Sequence, residues 1–336
     1  MPVAMIVPEV MRPTDTPYAA ILRQAGFDVI YPLDPLLSRG QSGEARLIEE
    51  LAGVDAVIAG GGEAYTPAVI AALPRLKVIA RAGVGYDRVH VPAATARRVA
   101  VTITPTANHE GVAEHALALL FAAAKYVVAS DQQLRLGVWS RVLTEPIRGK
   151  TLGILGLGRI GRSLAVRAKA LGMQVLVCER FPLASFVQAQ QIELVGFDEL
   201  LRRSDYLTLH CPHNEETTNL MNRETFARMK PGSTLINTAR GKLVVEADLY
   251  AALQSGHLRA AALDVFEQEP PAADNPLFQL PNVVVTPHLA GVDSLSLENM
   301  GIECAQNIVA LFENRWPEGA VVNEELRAGW VWKDEG

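Results

Sequence analysis

Four polar residues that could do chemistry lie directly after predicted strands in the second half of the sequence. Arg240 and His288 each follow an apolar strand, and Asp264 and Glu269 follow the strand between those two. Ligands bind at the carboxyl ends of the strands in an open parallel sheet, so we expect these side chains to meet in one crevice. A lone histidine after a strand is more often structural than catalytic. An arginine, a carboxylate and an imidazole together favour a catalytic site, because the imidazole can exchange a proton near neutral pH and the arginine can hold a carboxylate.

A glycine-rich turn provides a second chemical signal. The apolar strand 151–155 runs directly into Gly156-x-Gly158-x-x-Gly161, and a helix is predicted over 163–170. In a dinucleotide-binding turn these glycines allow the tight turn, the close approach of the pyrophosphate and the close packing of helix on strand. The phosphates then lie at the helix N-terminus. The motif alone is a weak signal, and the alternative is a glycine-rich turn that binds no ligand.

The end of the next predicted strand supports the nucleotide interpretation. Strand 174–178 ends on Glu179, 23 residues past Gly156, where a carboxylate would accept hydrogen bonds from an adenosine ribose. We therefore predict a site for NAD or NADP. A carboxylate repels the 2′-phosphate of NADP, so Glu179 favours NAD, while Arg180 beside it keeps NADP open as the alternative.

Two α/β domains are expected to position these groups. The 336 residues are long for a single core. Short apolar runs alternate with helical patterns, which indicates parallel sheets covered on both faces. We predict two doubly wound parallel-sheet domains, one over 1–105 and 294–336 and the other, a Rossmann NAD-binding domain, over 106–293.

The predicted elements follow this division. The strands of the first domain are 3–7, 28–30, 56–58, 77–80 and 99–103, with helices over 16–25, 43–51, 66–73 and 93–98. The second domain is expected to form a six-stranded sheet from 151–155, 174–178, 205–210, 233–237, 260–263 and 283–285, with helices over 163–170, 197–203 and 246–255. A last helix over 294–313 returns to the first domain.

A long apolar helix is predicted over 110–130, after a polar segment at 104–108 that can cap it. The helix is too apolar on all sides for a surface position, so we expect it to be buried between the two domains or in a dimer contact. Residues 136–149 are predicted to be irregular and include an isolated Trp139. The apolar surface of the helix and of this segment predicts a homodimer.

Composition argues against several functional classes. The formal charge of -6 and the pI near 5.7 give no electrostatic footprint for nucleic acid, and no block of Lys or Arg indicates a membrane surface. No apolar run reaches the roughly 18 residues of a membrane-spanning helix, and the N-terminus shows no leader signal. Three scattered cysteines without metal-ligand spacing fit a reducing cytoplasm.

Two compact groups of side chains resemble metal sites, but we expect no metal. His109 and His115 are six residues apart on the predicted helix, and not four, which places them on different helix faces. His210, Cys211 and His213 are close in sequence, but adjacent residues of a strand point to opposite sides.

Six motifs give the sequence its resemblance to a known family. They are R-A-G-V-G-Y-D at Arg81, G-V-A-E-H at Gly111, G-L-G-R-I-G at Gly156, N-T-A-R-G at Asn237, D-V-F-E-Q-E-P at Asp264 and T-P-H-L-A-G at Thr286. With these motifs in this order, the sequence resembles the D-isomer-specific 2-hydroxyacid dehydrogenases, and is most like their phosphoglycerate dehydrogenase branch. The resemblance covers nearly the whole chain. It implies an NAD-dependent oxidoreductase that interconverts a small 2-hydroxy acid and its 2-keto acid by hydride transfer. It also implies that the first domain, over 1–105 and 294–336, is a flavodoxin-like substrate domain.

The resemblance implies a catalytic role for three residues. His288 is the acid/base, Glu269 is its partner, and Arg240 binds the carboxylate and carbonyl of the substrate. Oxidation of a secondary alcohol needs a group that takes the hydroxyl proton while hydride leaves, and histidine titrates in the useful range.

The resemblance also implies the residues that bind substrate and cofactor. The backbone amides of Val84 and Gly85 bind the substrate carboxylate, and Arg81 can contribute one charge. The cofactor-binding residues are Gly156, Gly158, Arg159, Ile160, Gly161, Glu179, Cys211, Pro212, Thr238, Ala239, Arg240, Asp264, His288 and Gly291. Within that set, Cys211 and Pro212 border the adenosine half, Thr238 and Ala239 line the nicotinamide, and Asp264 binds its carboxamide.

The loop over 59–63 departs from the family's pattern. Phosphoglycerate dehydrogenases usually place an arginine there to meet the substrate phosphate, whereas this chain has A-G-G-G-E. If the loop covers the far end of the substrate, Glu63 adds a negative charge and a non-phosphorylated acid is preferred. The alternative is that Glu63 points to solvent and the glycines only make a turn.

The sequence ends at Gly336, so we expect no regulatory domain of the kind that many members of this branch append.

Two other functions stay open from the sequence. One is phosphoglycerate dehydrogenase proper. The other is an NAD(H)-sensing binding protein, because the family that this sequence resembles also contains transcriptional corepressors that keep the fold and the three catalytic residues.

Overall fold

The computed structural model describes residues 1–12 and 15–332, which divide into two compact units. Unit 1 comprises the described residues up to Asn108 and from Val292 onward, and unit 2 comprises His109–Gly291. These boundaries lie within three residues of the predicted division after residues 105 and 293. The assignment of unit 1 to substrate binding stays a prediction.

Twelve strands and twelve α-helices are formed by the described residues. The strands are β1 (Val3–Ile6), β2 (Asp28–Ile30), β3 (Ala56–Ala59), β4 (Val78–Arg81), β5 (Ala100–Thr102), β6 (Thr151–Leu155), β7 (Gln174–Cys178), β8 (Glu193–Leu194), β9 (Tyr206–Leu209), β10 (Ser233–Asn237), β11 (Leu258–Leu263) and β12 (Val283–Val285). The helices are α1 (Pro17–Gln24), α2 (Glu44–Glu50), α3 (Pro67–Ala72), α4 (Val91–Ala96), α5 (His109–Lys125), α6 (Val127–Arg135), α7 (Arg159–Ala170), α8 (Ala184–Gln190), α9 (Phe197–Arg203), α10 (Arg223–Arg228), α11 (Glu246–Gln254) and α12 (Ser294–Phe312).

Unit 1 is built on a five-stranded parallel sheet in the order β2-β1-β3-β4-β5. This is the flavodoxin-like order of a doubly wound sheet, as predicted. Strands β3 and β4 are buried along their whole length, which explains why they appear in the sequence as continuous apolar runs. One face of the sheet packs with α1 and α12, and the other face packs with α2, α3 and α4.

Local signals set the starts of two helices in unit 1. The hydroxyl oxygens of Thr16 and Thr66 accept hydrogen bonds from the backbone N–H three residues later, each at 3.3 Å, and a proline occupies the first helical position. A threonine cap followed by proline satisfies an otherwise unpaired amide and presets the helical φ. Helices α1 and α3 therefore begin within one residue of the predicted starts.

Unit 2 is built on a seven-stranded parallel sheet in the order β12-β11-β10-β9-β6-β7-β8. The order around β6 is that of a Rossmann dinucleotide-binding sheet, which confirms the predicted fold class. The prediction of six strands is wrong, because the two-residue strand β8 adds an exposed edge. A strand so short and polar has no periodicity that a sequence can reveal. The sequence pattern also does not predict the short helices α8 and α10.

The single long helix predicted over 110–130 is wrong. The chain breaks at Tyr126, which has a φ of +53°, and α5 and α6 meet at a 60° bend. The backbone N–H of Glu145 donates to the carbonyl of Ala124 at 3.0 Å, and the Lys125 ammonium donates to the carbonyl of Glu145 at 2.6 Å. A distant segment thus satisfies the carbonyl of Ala124 near the end of α5, and the helix ends there.

Helix α5 is buried by its own unit. Its alanine and leucine side chains join the core that lies between α7 and the sheet of unit 2. Helix α6, by contrast, has no buried residue. Across residues 1–12 and 15–332, no single helix is long and apolar enough to cross a membrane, and α5 and α6 meet that test only as a bent pair.

Candidate functional site

The glycine turn of unit 2 has the shape that a pyrophosphate needs. Gly156 has a φ of +102°, and a Cβ there would lie 2.7 Å from the backbone of His210 and Cys211. A Cβ on Gly161 would lie 2.1 Å from the carbonyl oxygen of Gly156, so helix and strand pack too closely for any side chain. A Cβ on Gly158 would meet nothing within 4 Å, which leaves open space at the N-terminus of α7. The turn therefore fits a dinucleotide.

Helix α7 begins at Arg159, four residues before the predicted start at residue 163. Arg159 and Ile160 form its first turn, so both lie where the resemblance places a cofactor. The difference arises because the glycines, which disfavour helix in isolation, are held in the first turn by the packing of α7 on β6.

Glu179 lies directly after β7 and faces the glycine turn. Its carboxylate accepts hydrogen bonds from the backbone N–H of Leu157 at 2.6 Å and of Phe181 at 2.9 Å. A carboxylate held this close to the turn is placed to meet a ribose hydroxyl. The guanidinium of Arg180 instead pairs with Glu216 at 2.7 Å on the surface.

The neighbouring strand end of β9 carries a histidine and a thiol that are both half-buried. Burial lowers the pKa of His210 to about 4 and raises the pKa of Cys211 to about 11, so both are neutral near pH 7. His210 Nε2 is 2.9 Å from the hydroxyl of Thr208. The next strand end, that of β10, leads into Thr238, which is buried, and the half-buried Ala239.

Arg240 lies on a tightly closed loop after β10. The side-chain amide of Asn237 donates to the carbonyl of Arg240 at 2.9 Å and accepts from the N–H of Ala239 at 3.0 Å. The Arg240 guanidinium donates to the carbonyl of Ala239 at 2.7 Å. The next residue, Gly241, packs on the carbonyl of Phe266, 1.9 Å from where a Cβ would lie. The loops after β10 and β11 therefore lie against each other.

His288 and Glu269 form a direct pair. His288 Nδ1 lies 2.6 Å from Glu269 Oε2, and Glu269 Oε1 accepts the N–H of Phe266 at 3.0 Å. Burial raises the pKa of Glu269, but the hydrogen bond and charge of His288, the Phe266 amide and the charge of Arg240 outweigh it, and the net pKa is lowered. An ionised carboxylate thus orients the ring. Nδ1 is engaged, so Nε2 is the nitrogen that can meet a ligand, and the side chain is 51% exposed.

Asp264 organises the backbone around His288. Its carboxylate is fully buried and accepts hydrogen bonds from the Thr286 hydroxyl at 2.5 Å and from the N–H groups of Leu289 and Ala290 at 2.9 Å each. Its carbonyl accepts the N–H of His288 at 2.8 Å, and His288 has a φ of +53°. A left-handed conformation is uncommon for a non-glycine residue and is held here by these bonds. The predicted contact of Asp264 with a carboxamide stays a prediction.

His115 belongs to the same network, although the sequence patterns did not predict it as a site residue. Its Nε2 lies 3.1 Å from the Thr286 hydroxyl and 3.6 Å from the Asp264 carboxylate. The only signal in the sequence is its place in G-V-A-E-H. The described residues contain no group of three or more His, Cys, Asp or Glu side chains that could hold a metal ion.

In unit 1, the predicted substrate-binding segment is a loop directly after β4. Arg81 Nε donates to the carbonyl of Gly85 at 3.0 Å. Gly83 has a φ of +136° and exchanges hydrogen bonds with Thr104 at 2.8 and 3.0 Å. Val84, between these anchors, is exposed. Hydrogen bonds thus hold both ends of the loop, and the residue between them is exposed to solvent.

The loop over 59–63 differs from both sequence-based expectations for Glu63. The alternative that Glu63 points to solvent is wrong, because its side chain is 3% exposed. The glycines do more than make a turn, since a Cβ on Gly62 would lie 2.2 Å from the carbonyl oxygen of Ser38. Burial raises the pKa of Glu63 to about 7 against the attraction of Arg81 and Arg88, so it is not a full negative charge at neutral pH.

Comparison with known proteins agrees with this geometry. Residues 117–290 match the model of the D-isomer specific 2-hydroxyacid dehydrogenase, NAD binding domain. The chain is 43% identical to a D-3-phosphoglycerate dehydrogenase of Mycobacterium leprae over 85% of this chain and 55% of that protein. It is 38% identical to a glyoxylate reductase of Korarchaeum cryptofilum over 83% of this chain and 86% of that one. A crystal structure of a Thermus thermophilus protein superposes with a TM-score of 0.83 at 35% identity, covering 95% and 99% of the two chains.

Two doubly wound units, one with a dinucleotide turn and a carboxylate-paired histidine at its strand ends, define a nucleotide-binding α/β protein. The chain belongs to the D-isomer specific 2-hydroxyacid dehydrogenase family, as its resemblance implied, and unit 2 carries the family's NAD-binding domain. The chain spans about half the length of the phosphoglycerate dehydrogenases that it matches.

Proposed function

We propose that this protein is an NAD-dependent D-2-hydroxyacid dehydrogenase that interconverts a small 2-hydroxy acid and its 2-keto acid. The observation that carries the proposal is the pair of His288 and Glu269 at 2.6 Å, beside Arg240 and in the same unit as the dinucleotide turn. The names of the relatives, phosphoglycerate dehydrogenase and glyoxylate reductase, support the same reaction class.

The proposed chemistry uses the residues of unit 2 in distinct ways. Bound at the glycine turn, NAD would supply the acceptor for the hydride that leaves the carbon of the secondary alcohol. His288 Nε2 takes the hydroxyl proton as that hydride leaves and returns it in the reverse reaction. Glu269 holds the ring through Nδ1 and stabilises its charged form, while Arg240 offers paired donors to the substrate carboxylate.

The test of this proposal is His288→Ala. We expect kcat to fall by about 10² to 10⁴ while NADH still binds, because only the proton transfer is lost. His257→Ala is the matched control, since that histidine contacts the carbonyl of Phe226 and has no place in the proposed site. Unchanged turnover in His288→Ala would contradict the assignment.

The position of Glu179 supports NAD over NADP. Its carboxylate lies at the glycine turn, and the competing Arg180 is drawn to Glu216. We expect kcat/KM to be higher with NADH than with NADPH, and we expect Glu179→Gln to narrow the difference. A preference of the wild-type protein for NADPH would reverse this part of the proposal.

For the substrate, we propose a non-phosphorylated 2-keto acid. The loop that carries a phosphate-binding arginine in phosphoglycerate dehydrogenases carries only glycines here, before a buried Glu63. A phosphate buried without a positively charged partner costs several kcal/mol. The ratio of kcat/KM for phosphohydroxypyruvate and hydroxypyruvate tests this. A tenfold preference for the phosphorylated acid would favour phosphoglycerate dehydrogenase proper.

A panel of acids separates an enzyme from a nucleotide-sensing protein. Glyoxylate, hydroxypyruvate, pyruvate and phenylpyruvate would each be offered with NADH and with NADPH. Turnover of at least one acid supports the dehydrogenase. Tight NADH binding with no turnover of any acid would favour the sensor instead.

We also propose a homodimer formed through α6 and the segment that follows it. Val127, Leu134, Leu136, Trp139 and Leu143 are all exposed, with Trp139 at 79% and Leu143 at 93%. Large apolar side chains exposed this densely along one segment indicate an interaction surface. Light scattering at micromolar concentration should give a dimeric mass, and a monomeric mass would refute the proposal.

A reducing, cytoplasmic location is supported by the three cysteines, which are all free.

A further inference from the structure

Glu63 in unit 1 is a buried acid that the proposed chemistry does not use. Its carboxylate curls back over Gly60, where a Cβ would lie 3.3 Å from Oε1. The backbone amides of Gly60 and of Glu63 itself face the carboxylate. Within the described residues, however, neither carboxylate oxygen accepts a hydrogen bond of good geometry. Burial without full hydrogen bonding disfavours the charged form, so the pKa of Glu63 rises to about 7.

Two arginines link the Glu63 loop to the predicted substrate-binding loop. Arg81 is paired in register with Ala59, at the point where the Glu63 loop leaves β3. It is 7% exposed, attracts the Glu63 carboxylate and donates through Nε to the carbonyl of Gly85 at 3.0 Å. Arg88 donates to the carbonyl of Gly62 at 3.1 Å. A change at Glu63 therefore reaches the Val84–Gly85 segment through a single buried side chain.

Glu63 is the group in this cluster that changes charge near neutral pH. Burial and the Glu63 carboxylate raise the pKa of Tyr65, whose hydroxyl stays neutral. Burial also raises the pKa of Cys304, the thiol that faces Arg81. When Glu63 is protonated, no carboxylate offsets the positive charges of the two arginines near the loop. With Glu63 ionised, one of the two positive charges is neutralised.

We propose that Glu63 is a positioning residue that acts through Arg81 on the Val84–Gly85 segment, so that ionisation of Glu63 weakens the binding of a carboxylate substrate. This inference rests on the proposed function, because binding of the substrate carboxylate at Val84 and Gly85 is part of that proposal. A positive potential at the backbone amides favours an anion, and a neighbouring carboxylate reduces it.

The test is KM for glyoxylate, or for the best acid of the panel, between pH 5.5 and 8.5. In the wild-type protein, we expect KM to rise about tenfold through pH 7, the order of magnitude expected for one charge acting through the interior of a protein. Glu63→Gln should keep the low KM at every pH, and kcat should be the same function of pH in both proteins. Glu63→Asp, which keeps the carboxylate, should show the same transition as the wild-type protein, that is, a rise of KM through pH 7. Glu44→Gln, which removes an exposed carboxylate of the same unit, should behave as wild type.

Arg81→Lys is an independent variant. It keeps the charge but loses the Nε donor to Gly85, so KM should rise at every pH while the transition through pH 7 remains. The same KM profile in wild type and Glu63→Gln would overturn the inference and leave the dehydrogenase proposal intact. Loss of the transition in Arg81→Lys, which keeps the positive charge, would overturn the electrostatic coupling that the inference requires. Absence of turnover in the wild-type protein with every acid would overturn the proposed function itself.

Discussion

Replacement of Glu63 by glutamine should change the stability of unit 1 in a way that depends on pH. The free energy of unfolding of Glu63→Gln, minus that of the wild-type protein, should be larger at alkaline pH than at acid pH. Burial raises the pKa of Glu63 from 4.5 to about 7. The folded state therefore holds its proton more tightly than the unfolded chain does. The contribution of Glu63 to wild-type stability is fully present below pH 4.5 and is lost as pH rises through 7, because the buried group must then ionise or be exposed.

The size of this effect follows from the same shift. A pKa difference of about 2.5 at about 1.4 kcal/mol for each pKa unit gives roughly 3 kcal/mol between pH 4.5 and pH 8. Glutamine has nearly the same shape and does not titrate. The free energy of unfolding of Glu63→Gln minus that of wild type should rise by this amount over the same range. Other titrating groups contribute equally to both proteins and cancel in the difference.

Thermal or urea unfolding at pH 5, 6, 7 and 8 measures this difference. For a unit of this size, a change of roughly 3 kcal/mol corresponds to roughly 6 to 12 °C in Tm. Glu44→Gln is the control, since Glu44 is exposed and its replacement should give a difference that does not vary with pH. A pH-independent difference between Glu63→Gln and wild type would show that Glu63 is ionised throughout, and the explanation in terms of burial would fail.

Three further predictions concern unit 2. Gly161→Ala should weaken NADH binding at least tenfold and lower Tm, because its Cβ would lie 2.1 Å from the Gly156 carbonyl. Gly196→Ala is the control and should change neither quantity, because its Cβ would meet nothing within 4 Å. Glu269→Gln should lower kcat by roughly 10² with little change in NADH affinity, because the ring of His288 loses the charge that orients it; an unaltered kcat would contradict the pairing. His115→Ala should lower stability by about 1 to 3 kcal/mol by removing a partner of the buried Asp264 network, and equal unfolding free energies would show that this contact contributes nothing.

Sequence patterns were sufficient to predict the fold class, the family and the residues that lie at the strand ends. These follow from local rules. Continuous apolar runs of strand length indicate buried parallel strands, and a strand that ends on Gly156-x-Gly158-x-x-Gly161 before a helix has few other uses. Threonine before proline sets the starts of α1 and α3 without help from distant segments.

Features that depend on contacts between distant segments could not be predicted and are seen only in the folded chain. The break at Tyr126 exists because Glu145 takes up the carbonyl of Ala124, and no residue near Tyr126 signals it. His115 joins the site because α5 packs under the end of β12, which brings the ring to Thr286. Glu63, a residue that is usually exposed, is buried because its loop is closed against Ser38 and Arg88. Burial and long-range hydrogen bonds are properties of the packed chain, and they decide which of these polar side chains titrates near neutral pH.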